Sequence, residues 1–329
     1  VLCVTSNIEL ATALTNKLYS LGVDFVWKQA PEKKTKKKFG KNIYQTLPHK
    51  LKAIVWLIKT TIFNWSSNGV GVNEWKRTKA KCTFISYLPN IDSNSLKNGR
   101  FASRYWTNLL DLLEKENIKS NWLHIFVPSD YLPASKSAAA IINLNKSHKE
   151  QQVHVTLYSF LSLKLLYYVL YDWYRLLKLK SIVEIHLKNS SDSYWPLIEV
   201  DYLSSLVGST AMSSLLYLHL FEKAMSSLPI QTRGFYLKEN QGWEWGFIHA
   251  WRKYNHANRL MGVPHSTVNY WDLRYFFDSR TYMQDDECSL PLPDKVGVNG
   301  EAAKAMYVSD GYPKDDIVEV EALRYLYLN

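Results

Sequence analysis

Cysteine is scarce in this chain, and its spacing excludes two ways of stabilising a fold. The 329 residues contain only Cys3, Cys82 and Cys288, far apart and with no CxxC pair. This spacing fits neither a disulfide framework nor a zinc site, and it is typical of a protein kept in a reducing cytoplasm. With 47% hydrophobic residues, the chain can instead bury an ordinary apolar core.

Several motifs that identify enzyme classes are also absent. The sequence has no GxGxxG fingerprint, no GxxxxGK[ST] P-loop, no HExxH and no GxSxG. These absences argue against a nicotinamide-dependent oxidoreductase, a P-loop ATPase and a hydrolase with a nucleophile elbow. No DxD motif stands in a strand-end loop, and residues 285–287 (DDE) are interpreted as a solvated acidic loop.

No apolar run is long enough to cross a bilayer, which takes about 20 residues. A helix predicted from about residue 48 to 65 has an apolar centre and follows the lysine-rich run 31–41. Either this segment binds an anionic membrane surface, or a solvated loop leads into a buried helix. Residues 160–180 predict an amphipathic helix with basic flanks, which either lies on a membrane or packs on the sheet.

The net charge of +10 indicates an anionic partner. A phosphorylated substrate, an acidic lipid surface and a nucleic acid all carry that charge. The chain has no recognisable nucleic-acid-binding motif, and its lysine run is too local to form a groove-sized basic patch. We therefore expect no nucleic-acid partner.

Short apolar strands alternate with helical segments, which predicts an α/β fold with parallel sheets. A helical connector at 192–227 separates two such series. We predict two Rossmann-like domains facing a cleft, with residues 1–225 as the first and 226–329 as the second. Because the chain begins in VLCV and ends in a strand-like VEVEALRYLYL, we expect a fragment with an incomplete C-terminal domain.

Polar residues follow three strands predicted in the second half, and these residues form the candidate site. Open α/β sheets bind ligands at the carboxyl ends of their strands, so we expect the residues to converge on one phosphate-sized ligand. The residues at or just after these strand ends are Glu239, Glu244, His265, Ser266, Thr267, Asn299 and Gly300.

These residue types suit a phosphorylated ligand. Gly300 at a helix start lets backbone N–H groups approach a phosphate. His265 could bind phosphate or act as an acid or base, and a buried Glu239 or Glu244 could hold a ribose or act as a base.

Simpler interpretations of the same residues stay open. Asn299 and Gly300 could form only a turn and a helix cap. Glu244 could be a residue that favours the helix dipole. Arg274 could form an internal ion pair with Asp272.

Three stretches resemble the bacterial surface carbohydrate (O-antigen) biosynthesis protein family. They are KENQGWEWGFIHAWRKY at 238–254, GVPHSTVNYWDLRYF at 262–276 and LPLPDKVGVNGEAAKAMYVSDGYPKDDIVEVEALRYL at 290–326. The resemblance implies a GT-B-like glycosyltransferase, with a nucleotide-sugar donor in the second domain and a glycan or lipid-linked acceptor against the first. Where many relatives have glycine, this chain has Glu321 and Ala322.

Under this resemblance His265, Ser266 and Thr267 would contact the donor, and Arg274 would balance its phosphate charge. Asn299 and Gly300 would cradle the phosphate, and Glu239 or Glu244 would hold the ribose or act as the base. The enzyme would be metal-independent and would use no cofactor besides its donor substrate. It would be cytoplasmic, with peripheral association at the inner membrane face as an open possibility. A non-catalytic glycan-binding or assembly protein with a degenerate transferase fold is the alternative.

Overall fold

The computed structural model describes residues 1–30, 44–88, 98–130, 132–147, 151–190, 195–254, 256, 259–264, 279–282 and 290–323. The strands found there are β1 (Leu2–Thr5), β2 (Val26–Gln29), β3 (Cys82–Tyr87), β4 (Ser120–Ile125), β5 (Gln152–Thr156), β6 (Arg233–Lys238), β7 (Leu260–Pro264), β8 (Lys295–Val298) and β9 (Ile317–Glu319). The α-helices are α1 (Ile8–Ser20), α2 (His49–Asn64), α3 (Val72–Arg77), α4 (Thr107–Lys115), α5 (Ala134–Ser147), α6 (Leu163–Ser190), α7 (Trp195–Leu206), α8 (Ser209–Ser227), α9 (Gly242–Lys253) and α10 (Glu301–Ser309).

The main sheet has seven parallel strands in the order β5-β4-β3-β6-β7-β8-β9. Starting from β3, the chain adds β4 and β5 on one side, then returns to place β6 to β9 on the other. This order extends that of the doubly wound Rossmann-like sheet, 3-2-1-4-5-6, by one strand. The predicted α/β class with parallel strands is therefore confirmed.

The residues group into two compact units. The first comprises Val1–Thr60 and Leu166–Leu216, and the second comprises Thr61–Leu165 and Tyr217–Asn329. In the first unit β1 pairs in parallel with β2, and α1 connects them. The second unit contains the whole seven-stranded sheet. Among the described residues no helix combines the length and the apolar character needed to cross a membrane.

The sequence predicted that the strands on the two sides of residue 225 would form separate sheets. In the structure β3–β5 and β6–β9 belong to one sheet. Strand β6 pairs directly with β3, from Cys82 opposite Arg233 to Ile85 opposite Tyr236. The central strands are buried on both faces, so their sequences are apolar runs that do not indicate which strands lie side by side in the sheet. Strand order depends on tertiary pairing, which the alternation of elements along the chain does not encode.

A ladder of aromatic rings crosses one face of the sheet. Phe84 stacks on Trp122 and on Phe235, with ring centroids 4.4 and 5.1 Å apart. The backbone register puts Phe84 opposite both rings and Trp122 opposite His154. Ring pairs in this arrangement add about 0.5–1.5 kcal/mol each to the burial of their area. The ladder fixes the alignment of four strands, including the pair β3–β6.

Two buried histidines lie at the end of this ladder. The rings of His124 and His154 stack, and His124 Nε2 lies 3.1 Å from His154 Nδ1, so the two rings share one hydrogen bond. Among the described residues His124 Nδ1 has no hydrogen-bond partner. Burial lowers the pKa of His124 from 6.5 to about 3, and the ring is neutral in the folded protein at pH 7.

This pair predicts a loss of stability in mild acid. As the pH falls below 6.5, His124 becomes protonated in the unfolded chain, whereas in the folded chain it stays neutral down to about pH 3. The free energy of unfolding therefore decreases as the pH is lowered through this range. We expect a loss of about 2 kcal/mol between pH 6.5 and about pH 5 from this residue. Urea unfolding at several pH values measures it. A His124→Gln variant should show a flatter pH profile, and an unchanged profile would contradict the assignment.

Candidate functional site

The strand order reverses between β3 and β6, and polar side chains meet there. Tyr87 is the last residue of β3, and Glu239 directly follows β6. Because the two strands are parallel neighbours, both residues lie at the carboxyl edge of the sheet. In open α/β sheets this point of reversal is where ligands bind, since the following chain turns away on both sides and leaves a crevice.

A short hydrogen-bond chain joins these strand ends. The indole Nε1 of Trp243 donates to Tyr87 Oη at 3.0 Å, and Tyr87 Oη donates to Glu239 Oε2 at 3.2 Å. Burial raises the pKa of Tyr87 far above its ordinary value, and the charge of Glu239 raises it further. The phenol therefore stays protonated and serves as a fixed donor to the carboxylate. Glu239 itself is half-buried and can still be approached from solvent.

Glu244 has a structural role at the start of α9. Its Oε1 accepts the backbone N–H of Glu239 at 2.7 Å and that of Gln241 at 2.8 Å, while the Gln241 side chain accepts the N–H of Glu244. This reciprocal arrangement is a capping box, which satisfies N–H groups that the helix leaves without partners. Asn240 makes the tight turn before it with φ 53°.

A buried lysine accompanies this cap. Lys238, the last residue of β6, is only 6% exposed, and its ammonium donates to Asn240 Oδ1 and lies 5.8 Å from the centre of the Tyr307 ring. Burial lowers the pKa of Lys238, and the nearby charge of Glu244 opposes that shift. Burial likewise raises the pKa of Glu244, against the pull of Lys238 and the two N–H donors. Each charge thus offsets part of the effect that burial has on the other.

A small cavity borders the Lys238 and Glu244 side chains. Its volume is about 10 Å³, and the other walls include Asn240, Tyr307 and Tyr312. That is room for one water molecule, so a nucleotide does not fit inside and would have to lie over the strand ends. Asn240 Nδ2 and Tyr312 Oη are buried here with no hydrogen-bond partner among the described residues, which makes them candidate partners for such a water.

Asn299 and Gly300 lie at the same edge of the sheet, after β8. Two strand spacings separate β8 from β6, or roughly 10 Å. Gly300 has φ 121° and opens α10 without a side-chain cap, which fits both a backbone approach to phosphate and a plain turn with a helix cap. The Oδ1 atom of Asn299 is buried with no hydrogen-bond partner in the described part of the chain.

The predicted site residues are thus brought together in part. Glu239 and Glu244 touch, and Asn299 and Gly300 share their sheet edge. His265, Ser266, Thr267, Arg274 and the DDE loop lie outside the described residues. The described residue nearest in sequence to His265 is Pro264, which ends β7 and pairs with Lys238 on β6.

Sequence reasoning missed Tyr87, Trp243 and Lys238. Each lies at a strand end or in the first turn of a helix, which are the positions where the sequence analysis looked for site residues. What was missing was the pairing of β3 with β6, because Tyr87 and Glu239 are 152 residues apart in the sequence.

A larger hollow lies at the opposite edge of the sheet, where β3, β4 and β5 begin. It has a volume of about 860 Å³, and Arg77, Lys79, Lys119 and Lys146 line it together with Glu74. None of the predicted site residues borders it, and the amino edge of a parallel sheet is not where α/β enzymes place their chemistry. We therefore assign the site to the carboxyl edge. Among the described residues no three His, Cys, Asp or Glu side chains cluster as metal ligands would.

In comparisons with known proteins, the chain matches no family model, no curated protein and no solved structure. The resemblance to surface carbohydrate biosynthesis proteins therefore stays a prediction that rests on the three sequence stretches.

Proposed function

We propose that this protein is a glycosyltransferase of bacterial surface polysaccharide biosynthesis. It would transfer a sugar from a nucleotide-sugar donor to a glycan or lipid-linked acceptor. The observation that carries the proposal is the Tyr87–Glu239 hydrogen bond at the point where the strand order reverses. This is the place where doubly wound sheets bind nucleotides, and a carboxylate there can serve as a base.

Glu239 is the residue we assign as general base. Its carboxylate would take the proton of the acceptor hydroxyl while that oxygen attacks the anomeric carbon of the donor sugar. The bond from that carbon to the nucleotide phosphate breaks, and the phosphate leaves with the electron pair. Tyr87 positions the carboxylate by its hydrogen bond and does not exchange a proton, because its pKa is raised.

The leaving phosphate would be stabilised by positive potential along the same edge. The N-terminus of α10 at Gly300 and the ammonium of Lys238 supply it from the described residues. Ser266, Thr267 and Arg274 would complete the donor site, and His265 would contact the donor phosphate or sugar. This division leaves Glu244 as the residue that holds the turn.

The two-domain arrangement of a GT-B enzyme is part of the proposal in changed form. The seven-stranded sheet would be the donor domain. The first compact unit contains a β1–α1–β2 element with parallel strands, which is the repeating element of a Rossmann-like domain. We place the acceptor-side domain in that unit. A lipid-linked acceptor would place the protein at the inner membrane face.

The alternative function is a non-catalytic glycan-binding or assembly protein with a degenerate transferase site. The use of Glu244 as a cap favours it, since only Glu239 remains as a carboxylate base among the predicted site residues that the structure describes. Donor binding without any transfer or donor hydrolysis would support this alternative.

A thermal-shift screen tests the proposal. CMP-, UDP-, GDP- and dTDP-linked sugars would each be added at a large excess over the expected Kd. A ligand present at 100 times its Kd stabilises the folded state by about 2.7 kcal/mol, so one nucleotide class should raise Tm clearly. The matched nucleoside diphosphates without sugar show how much of the shift the phosphates supply. Absence of a shift with every donor would overturn the proposal.

A further inference from the structure

The outer side of α6 carries an apolar face that the described residues leave open to solvent. Within Leu166–Ile185, Val169 and Trp173 are buried on one side of the helix. At 100° per residue, the opposite side spans roughly 140° and is mostly apolar. We call it the tyrosine face, and its apolar members are Tyr167, Leu170, Tyr171, Tyr174, Ile182 and Ile185, all exposed.

The exposure of this face is large for such side chains. Tyr167 is 64% exposed and Ile182 is 66% exposed. The rings of Tyr167 and Tyr171 stack 6.4 Å apart, which forms a flat aromatic surface along the helix. A helix that is apolar on both sides is normally buried on both sides. The tyrosine face therefore has the composition of a binding surface.

The charges on this face are all positive. Lys178 lies over the Tyr174 ring at 4.5 Å, and Arg175 lies 6.0 Å from the Tyr171 ring at the margin. The acidic residues of the segment lie off the face. Asp172 pairs with Arg175 at its edge, and Glu184 pairs with Lys180 on the other side of the helix.

We infer that the tyrosine face binds the surface of an anionic phospholipid membrane. Tyrosine rings suit the interface between headgroups and acyl chains, aliphatic side chains enter the acyl region, and cations reach back to the phosphates. Aliphatic residues offer a glycan neither stacking nor hydrogen bonds, so a polysaccharide fits less well. A second copy of the chain would bring two sets of cations together. The inference gives the proposed membrane association a defined surface and does not need the donor site.

Vesicle co-sedimentation tests this inference on the full chain. Vesicles of phosphatidylcholine containing one third phosphatidylglycerol should bind the protein, and vesicles of phosphatidylcholine alone should bind it much less. Each basic residue near an anionic surface contributes roughly fivefold to binding. Arg175→Gln with Lys178→Gln should therefore weaken binding by roughly 30-fold at low salt, and added salt should weaken the wild type.

The aromatic part of the face is tested separately. Tyr167→Ser with Tyr171→Ser should abolish binding to both kinds of vesicle, while Tyr19→Ser, which is 84% exposed on α1, should not. Lys115→Gln with Lys119→Gln, both exposed, is the matched control for charge. Equal losses in the controls, or full binding in both face variants, would overturn the inference. So would a concentration-dependent dimer that the tyrosine variant abolishes without any vesicle binding. Donor thermal shifts should be the same in all these variants, so this test and that of the transferase fail independently.

Discussion

Glu244→Ala is expected to lower the free energy of unfolding by about 3–5 kcal/mol, because its carboxylate accepts two backbone hydrogen bonds and a hydrogen bond to a charged group contributes about 1.5–3 kcal/mol. The carboxylate accepts the backbone N–H groups of Glu239 and Gln241 and sits near the buried Lys238. Its removal leaves two donors without partners and takes away the negative charge that favours the Lys238 ammonium. The lysine would then lose its proton more readily, which recovers part of the loss.

Urea unfolding of wild type and variant at pH 7 measures this difference. Glu301→Ala is the matched control, because Glu301 is also an acidic residue in the first turn of a helix but is exposed. A first-turn carboxylate at the surface contributes about 0.3–1 kcal/mol through the helix dipole. If Glu244→Ala lowered the free energy of unfolding no more than Glu301→Ala does, Glu244 would not stabilise the fold as a helix cap. A role for Glu244 in ligand binding would then be favoured.

Glu239→Gln is expected to reduce sugar transfer by about 10²–10⁴-fold, the usual contribution of a positioned general base. The amide has the shape of the carboxylate and still accepts the Tyr87 hydrogen bond, but it cannot take the acceptor proton. Because Glu239 is assigned to the acceptor hydroxyl, the donor-induced thermal shift should remain. The rate is measured with the donor that the thermal-shift screen identifies.

Tyr87→Phe separates positioning from proton transfer in the same assay. This variant removes the hydrogen bond to Glu239 and keeps the ring against Trp243. Its rate should fall less than that of Glu239→Gln, and the pH at which the rate reaches half its maximum should rise, because the carboxylate loses a donor that stabilises its charge. A wild-type rate of sugar transfer in Glu239→Gln would rule out Glu239 as the general base. Loss of the donor-induced thermal shift in that variant would indicate that Glu239 binds the ribose instead.

The elements of the fold were readable from sequence because their local patterns are strong. The runs RGFYL at 233–237 and KVGV at 295–298 each predict a strand, and the structure confirms them within one residue as β6 and β8. The segment 301–309 after Asn299 and Gly300 predicts a helix, and it matches α10. The sequence predicts a helix over residues 101–116, but helix α4 begins only at Thr107, because Ser103 and the buried Trp106 form a turn ahead of it.

The candidate site was less readable, because its geometry depends on long-range pairing. That Glu239 follows a strand is visible locally, and so is Glu244 in the next helical turn. That Glu244 turns back to the N–H of Glu239 depends on the left-handed turn at Asn240, which its neighbours in sequence do not impose. The partner of Glu239 on β3 becomes known only with the strand order.

The separation of Tyr87 from Glu239 by 152 residues has a consequence for biosynthesis. Strand β3 can pair with β4, and β4 with β5, soon after they leave the ribosome, but the other edge of β3 stays unpaired until β6 is made. At 5–20 residues per second that wait lasts roughly 8–30 s, during which an apolar edge strand is open to pairing with other chains. Long-range parallel pairing is also slow to form. The nascent protein should therefore need a chaperone over this interval, and chains truncated before residue 233 should aggregate.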